Sequence, residues 1–174
     1  MDSSQAKPKK VVSKPGDDVS TDAIYPGRYM ATVLPTETPK FAFADDLELN
    51  RKLNSGEIEK GSALVAGKNF GCGSSREQAV STLKGHELTI VAQNFARIFL
   101  QNSINLGLNV VICPTIEANV GDELVVDAES VTNKTSGKTF AVNALPAARL
   151  EIMRDGGLIA HTRARLIRMR QANA

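Results

Sequence analysis

Apolar residues along this chain gather into short continuous runs broken by glycine and proline, with amphipathic stretches between them. Three runs stand out: SALVAG at 62–67, ELTIVAQ at 87–93 and NVVICP at 109–114. Each is too short for a buried helix and ends at a turn or polar residue, which predicts buried strands. Between the first two lies SSREQAVSTLKG at 74–85, which predicts a helix. Its serines serve as caps, Glu77 and Gln78 fill the first turn, and Gly85 is the stop. NFARIFLQNSINLG at 94–107 predicts a second helix, with Phe95, Ile98, Phe99 and Ile104 on one side and Gly107 at its end. Strand–helix–strand–helix–strand with short links is the pattern of a parallel sheet with right-handed crossovers.

The flanks read differently. Residues 10–40 scatter apolar positions among Pro, Gly, Asp and Thr, so they predict mostly loop with a short strand near Val11 and Val12. KFAFADDLELNRKLNSGEI at 40–58 has helical spacing at Phe43, Leu47, Leu49 and Leu53 and stops at Ser55-Gly56. GDELVVDAESVTNKTSGKTFAVNAL at 121–145 has alternating and β-branched residues around a Thr-Ser-Gly turn, which predicts an antiparallel hairpin. PAARLEIMRDGG at 146–157 opens on a helix-starting proline and ends in a glycine pair. The last stretch carries Arg163, Arg165, Arg168 and Arg170, read as a solvated basic helix face or frayed end rather than as a docking surface. The domain expectation is a tail over 1–14, one folded domain over 15–162 and a basic tail over 163–174.

Composition narrows the function. The chain has 174 residues, 42% of them hydrophobic, enough for one core and too few for two enzyme-sized domains. A net charge of +2 with only 5% aromatics gives no basic–aromatic stripe for nucleic acid. Two cysteines, Cys72 and Cys113, fit a reducing compartment better than a disulfide scaffold, and are too few to ligate an iron–sulfur cluster alone. The two histidines, far apart, argue against a protein-only metal site. No run approaches the roughly 20 apolar residues of a membrane span, and the polar N-terminus lacks the apolar core of a secretory signal. A cytoplasmic protein is expected.

Chemistry concentrates in GKNFGCGSSRE at 67–77. A glycine-rich turn between a buried strand and a helix directs backbone N–H groups at the helix's positive end, where an anion is stabilised. The stretch lacks the lysine of a phosphate-binding P-loop, and Arg76 stands where a dinucleotide turn has its third glycine. A guanidinium offers a planar fork of donors that suits a carboxylate. The plainer reading leaves Ser74 and Ser75 as caps and Arg76 in solvent. Cys72 is read either as a thiolate at a helix start or as a small residue in a tight turn.

Three blocks, GDDVSTDAIYPGRYM, AGKNFGCGSSREQAV and VAQNFARIFLQNSINLGLNVV, in this order and spacing, resemble the swivelling domain of the aconitase superfamily. Within it they resemble the small-subunit family of isopropylmalate isomerases. The resemblance runs from Pro15 to Pro114 and continues more loosely through LEIMRDGGLI. It implies an α/β fold of three layers, β/β/α: a parallel central sheet, a second antiparallel sheet, and helices. It also implies a partner, a large subunit that holds a [4Fe–4S] cluster through three cysteines, so that this chain binds no metal itself and forms half of a hydro-lyase. By the same resemblance Ser74 is the base that takes a proton alpha to a carboxylate, and Arg76 binds a substrate carboxylate. Ser75 is a hydrogen-bonding neighbour, Gly73 lines the site, and Asp22, with Thr21 beside it, stands at the site's edge. A turn-stabilising role is the plainer reading of Asp22.

One departure touches the substrate. The family commonly carries an arginine in a loop that meets the substrate's variable group, here Arg28, Tyr29, Met30, Ala31 and Thr32, and Ala31 occupies the arginine's place. A small apolar residue suits an alkyl group better than a third carboxylate, which would lack a charge partner. The expected order is therefore isopropylmalate, then a related alkylmalate of the dimethylmalate type, then homoaconitate. The rivals of another class are a non-catalytic binding or regulatory module and an anion-binding domain that works alone. Self-association of the isolated chain stays open.

Overall fold

The structure, a computed structural model, describes residues 7–172. Seven strands lie in the spatial order β4-β3-β2-β1-β5-β6-β7. The parallel half consists of β1 (Lys9–Gly16), β2 (Ala63–Ala66), β3 (Thr89–Ala92) and β4 (Asn109–Ile112). The antiparallel half adds β5 (Glu123–Val126), β6 (Ser130–Asn133) and β7 (Thr139–Ala141). Strand β1 belongs to both. Lys9 and Lys10 pair with β5, while the residues from Val11 to Gly16 pair with β2 through two register irregularities. Such irregularities bend a strand and raise its twist, so β1 carries the chain from one half to the other.

This corrects the tail expected over 1–14. Residues 9–14 are strand, and Val11 is fully buried. The short strand expected near Val11 and Val12 is longer, running Lys9–Gly16, and pairs with β2 and β5. Residues 1–6 of that expected tail lie outside the described residues. At the other end, helix α6 (Leu158–Ala172) runs through the boundary expected at 162–163, and its arginines ride on a helix; residues 173–174 are again outside the described part.

Alternation along β2 explains the layers. Leu64 and Ala66 join a core with Ile90, Ala92 and Val110 and the helical residues Ala79, Val80, Leu83 and Phe99. Ala63 and Val65 point the other way, into a second core with Val91, Leu124, Val131 and Phe140. The parallel strands are thus covered by helices on one face and by the antiparallel strands on the other. A strand buried on both faces reads as a continuous apolar run, as 62–67 does.

Helix α3 (Glu77–Gly85) buries Ala79, Val80, Thr82 and Leu83, and α4 (Arg97–Leu106) buries Phe99, Ser103 and Ile104. Ile98 is half exposed and Phe95 precedes the helix, so the apolar face of α4 is narrower than the spacing predicted. Helix α2 (Leu47–Ser55) starts later than predicted. Asp46 caps it, accepting from Leu49 N at 3.0 Å, and Leu49 and Leu53 face inward while Leu47 is exposed. Helix α5 (Ala147–Arg154) follows Pro146 as expected, and the single hairpin expected over 121–145 gains a further strand through a turn held by Asp127.

Candidate active site

The loops after β1, β2 and β3 leave the same edge of the parallel half, its carboxyl end, where open α/β sheets bind ligands. Residues 17–21 run beside 67–72. Lys68 O accepts from Asp18 N at 2.8 Å, Val19 O from Gly71 N at 2.7 Å, and Cys72 O from Thr21 N at 2.7 Å. Side chains reinforce this pairing: Lys68 N donates to Asp17 Oδ1 at 2.8 Å and Asn69 Nδ2 to Asp18 Oδ1 at 2.8 Å. The third loop joins through Asn94, whose Oδ1 accepts from Asn69 N at 2.6 Å. Gly71 permits a close approach. Its φ is +80°, and a Cβ there would lie 2.1 Å from the ring of Phe99.

From Gly71 the chain rises through Cys72 and Gly73 (φ +92°) to the serines. Thr21 Oγ1 donates to Ser74 O at 2.9 Å, and Arg76 N donates to the same carbonyl at 2.9 Å, so the backbone of Ser74 is held from two sides. A Cβ on Gly73 would lie 3.3 Å from Thr21 Oγ1. Both serine side chains are exposed. They do not cap α3: Arg76 occupies the N-cap position and no side chain fills that role. The capping expectation is thereby corrected, and the hydroxyls of Ser74 and Ser75 stand clear of the helix ladder. Gly85 is the last residue of α3, whose C-cap is His86; its φ is not positive, and a Cβ there would lie 2.2 Å from Pro39.

Arg76 is not a solvent-facing arginine. Its side chain is only 16% exposed and forms an ion pair with Asp22 on α1 (Thr21–Ile24), itself 62% exposed. Arg76 Nη1 also donates to Tyr25 O at 3.4 Å. Asp22 Oδ1 accepts in addition from Gly27 N at 3.0 Å, so it both closes a turn and aims the guanidinium. The Arg76 hydrogen bond, followed by the Gly27 N–H, holds the Asp22 carboxyl below its ordinary pKa.

The loop over 28–32 lies against the same elements. Arg28 grips Asp45 with two bonds, at 2.5 and 3.3 Å, and lies over the ring of Tyr29. That ring stacks on Phe41 with centroids 4.0 Å apart. Met30 and Ala31 are exposed and Thr32 is half-buried. Thr21, Asp22, Gly73, Ser74 and Arg76 therefore come together through direct contacts, with Ser75 next to them in the chain. The loop neighbours them through Tyr25 and Gly27. Sequence reading missed Tyr25, Asp45, Asp18 and Asn94. The positive φ of Asp18 and Asn69 fits the Asp/Asn/Gly density of the two loops, which was the available signal.

The cysteines do not share a site. Cys72 Sγ donates to Asp18 O at 3.3 Å, whereas Cys113 is buried in the second core and donates to Ala141 O at 3.4 Å. Burial pushes the Cys113 thiol above its usual pKa. Among the described residues no group of three His, Cys, Asp or Glu is arranged to hold a metal, and no helix is long and apolar enough to cross a membrane. The site offers a part-buried, oriented guanidinium, an exposed hydroxyl two residues before it, and a helix start beneath both. It can bind a carboxylate and move a proton beside it.

Residues 13–112 match the family model of the aconitase C-terminal domain, and the chain belongs to that family. Relatives of the chain include small subunits named for 3-isopropylmalate dehydratase, isopropylmalate/citramalate isomerase and homoaconitase. The chain is 44% identical over 152 residues to the 3-isopropylmalate dehydratase small subunit of Methanosarcina mazei, covering 85% of this chain and 91% of that one. It is 41% identical over 149 residues to the methanogen homoaconitase small subunit of Methanothermobacter thermautotrophicus, covering 84% and 85%. A crystal structure of 3-isopropylmalate dehydratase from Methanocaldococcus jannaschii superposes with a TM-score of 0.83 at 37% identity, over 95% of this chain and 99% of that one. The three-layer fold expected from the sequence is the fold of this family.

Proposed function

We propose that this chain is the small subunit of a 3-isopropylmalate dehydratase, the hydro-lyase of leucine biosynthesis that interconverts 2- and 3-isopropylmalate by dehydration and rehydration. The observation that carries the reading is Arg76. Its guanidinium is withdrawn from solvent and aimed by Asp22 and Tyr25 O, two residues from an exposed serine hydroxyl.

In this reading Arg76 anchors a substrate carboxylate through its planar fork. Ser74 removes the proton alpha to that carboxylate. A serine hydroxyl is a weak base until its alkoxide is stabilised, and the start of α3 together with Arg76 supplies the positive field that does so. Ser75 adds a hydrogen bond to the substrate, the bare backbone of Gly73 leaves room for it, and Thr21 holds the Ser74 backbone still. Asp22 keeps the guanidinium oriented while the site is empty. Among the described residues there is no cluster-binding set; in this reading a [4Fe–4S] cluster would be held by the large subunit, where it would supply a Lewis acid for the leaving hydroxyl. The free thiols fit a cytoplasmic location.

The loop over 28–32 meets the substituent that distinguishes substrates. Ala31 presents no charge, and Arg28, the loop's own cation, is engaged by Asp45. A third carboxylate would therefore lack a ready partner, which favours an alkyl group. The relative named as a homoaconitase small subunit supports homoaconitate as the second reading. Turnover by the chain reconstituted with its large subunit separates the two: 3-isopropylmalate should be dehydrated in preference to homoisocitrate, and the reverse preference would reject the first reading.

A further inference from the structure

Tyr25 follows directly on α1 and is fully buried. Its main chain belongs to the site: its N–H donates to Thr21 O at 2.9 Å and its carbonyl accepts from Arg76. Its ring packs edge-on against Tyr29, centroids 6.5 Å apart, and against Phe41 at 6.1 Å. Its hydroxyl lies 3.1 Å from Tyr29 O and 3.2 Å from Thr32 O. Those two carbonyls bracket Met30 and Ala31. The phenol has one hydrogen to give, so the two acceptors share it. Burial raises the phenol's pKa, which keeps that proton in place through the neutral range.

A phenylalanine would fill the same aromatic cluster. What the hydroxyl adds is a tie across the base of the loop, from within the core. We infer that Tyr25 is a positioning residue for substrate selectivity: its carbonyl steadies the carboxylate-binding Arg76 while its hydroxyl fixes the curvature of the 29–32 loop. The distance between carboxylate anchor and substituent-facing surface is then set by one rigid side chain. The inference rests on the roles proposed above for Arg76 and for the loop.

Tyr25→Phe removes the hydroxyl and keeps the ring. In the complex of the full chain with its large subunit, kcat and KM are measured for 3-isopropylmalate, 3-methylmalate and homoisocitrate. KM for 3-isopropylmalate should rise about fivefold, the worth of one ordinary hydrogen bond. Its advantage over 3-methylmalate should shrink, and kcat should stay within about twofold. Amide hydrogen exchange over residues 28–34 should quicken while α3 keeps its protection. Wild-type KM and selectivity in Tyr25→Phe, with Ala31→Arg shifting selectivity, would overturn the inference and leave the loop's role standing. Unchanged selectivity in both variants would remove the loop's role and the inference with it. A joint fall of kcat and thermal stability at constant selectivity would make Tyr25 a core residue only, again overturning it.

Discussion

Asp22 shows how one exposed carboxylate can hold a part-buried cation. It is largely in water, yet it accepts from both the Arg76 guanidinium and the Gly27 N–H. Both favour the ionised form and lower its pKa. The sign of the pH dependence follows. A depressed carboxylate contributes fully above its unfolded value of about 3.9 and is lost as pH falls through the lower native value. Asp22 should therefore add no step to the pH profile of KM between pH 5 and 9. Asp22→Asn should raise KM at every pH in that range without changing the profile's shape, and steady-state kinetics of the assembled enzyme would check both. The sequence offered Asp22 either as turn former or as site residue. In the structure it closes a turn through Gly27 N and pairs with Arg76 at once, which one-dimensional spacing could not express.

The site depends on elements that meet with little clearance. Gly71 combines a left-handed backbone with the ring of Phe99 where its Cβ would be. Gly71→Ala should destabilise the chain by about 2–4 kcal/mol from strain and overpacking together. At this length that lowers Tm by roughly 5–15 °C, measurable by calorimetry. Strand β1 makes the same point at larger size. It lies between β2 and β5 and pairs with both. Deletion through Lys14 should abolish soluble folded expression, because two strand edges would be bared at once. Elements with strong periodicity or capped ends, namely β2, β3, β4, α3 and α5, were legible in the sequence. Strand β1 was legible only as a short strand near Val11 and Val12. Its lysines, serine and proline follow no alternation, and its place is fixed by partners about 50 and 110 residues away. Phe43 misled for a related reason. It lies at positive φ with its N–H on Ile24 O, so a tertiary contact overrode its helical spacing.

At the scale of the whole molecule, the two halves of the sheet serve different ends. The antiparallel strands and the second core brace one face of the parallel strands, and the helices brace the other. The loops at the carboxyl edge are left to carry chemistry on a rigid base. Ser74 and Ser75 are exposed there beside the part-buried Arg76, the pair that the proposed function takes as base and carboxylate anchor being Ser74 and Arg76. The motif blocks made the family legible. How Asp22, Tyr25 and Asn94 lash the loops together was not, because those contacts join segments that the sequence spaces by 25 to more than 50 residues. The account's central claim is that the 73–76 turn is the proton-moving half of a two-chain hydro-lyase. Its most direct test is the dehydration rate of 3-isopropylmalate by the reconstituted complex with Ser74→Ala in this chain, with assembly followed by gel filtration. The account predicts a complex assembled as in the wild type, with turnover reduced at least about 100-fold, the lower range for loss of a general base. Wild-type turnover by the assembled variant would contradict it.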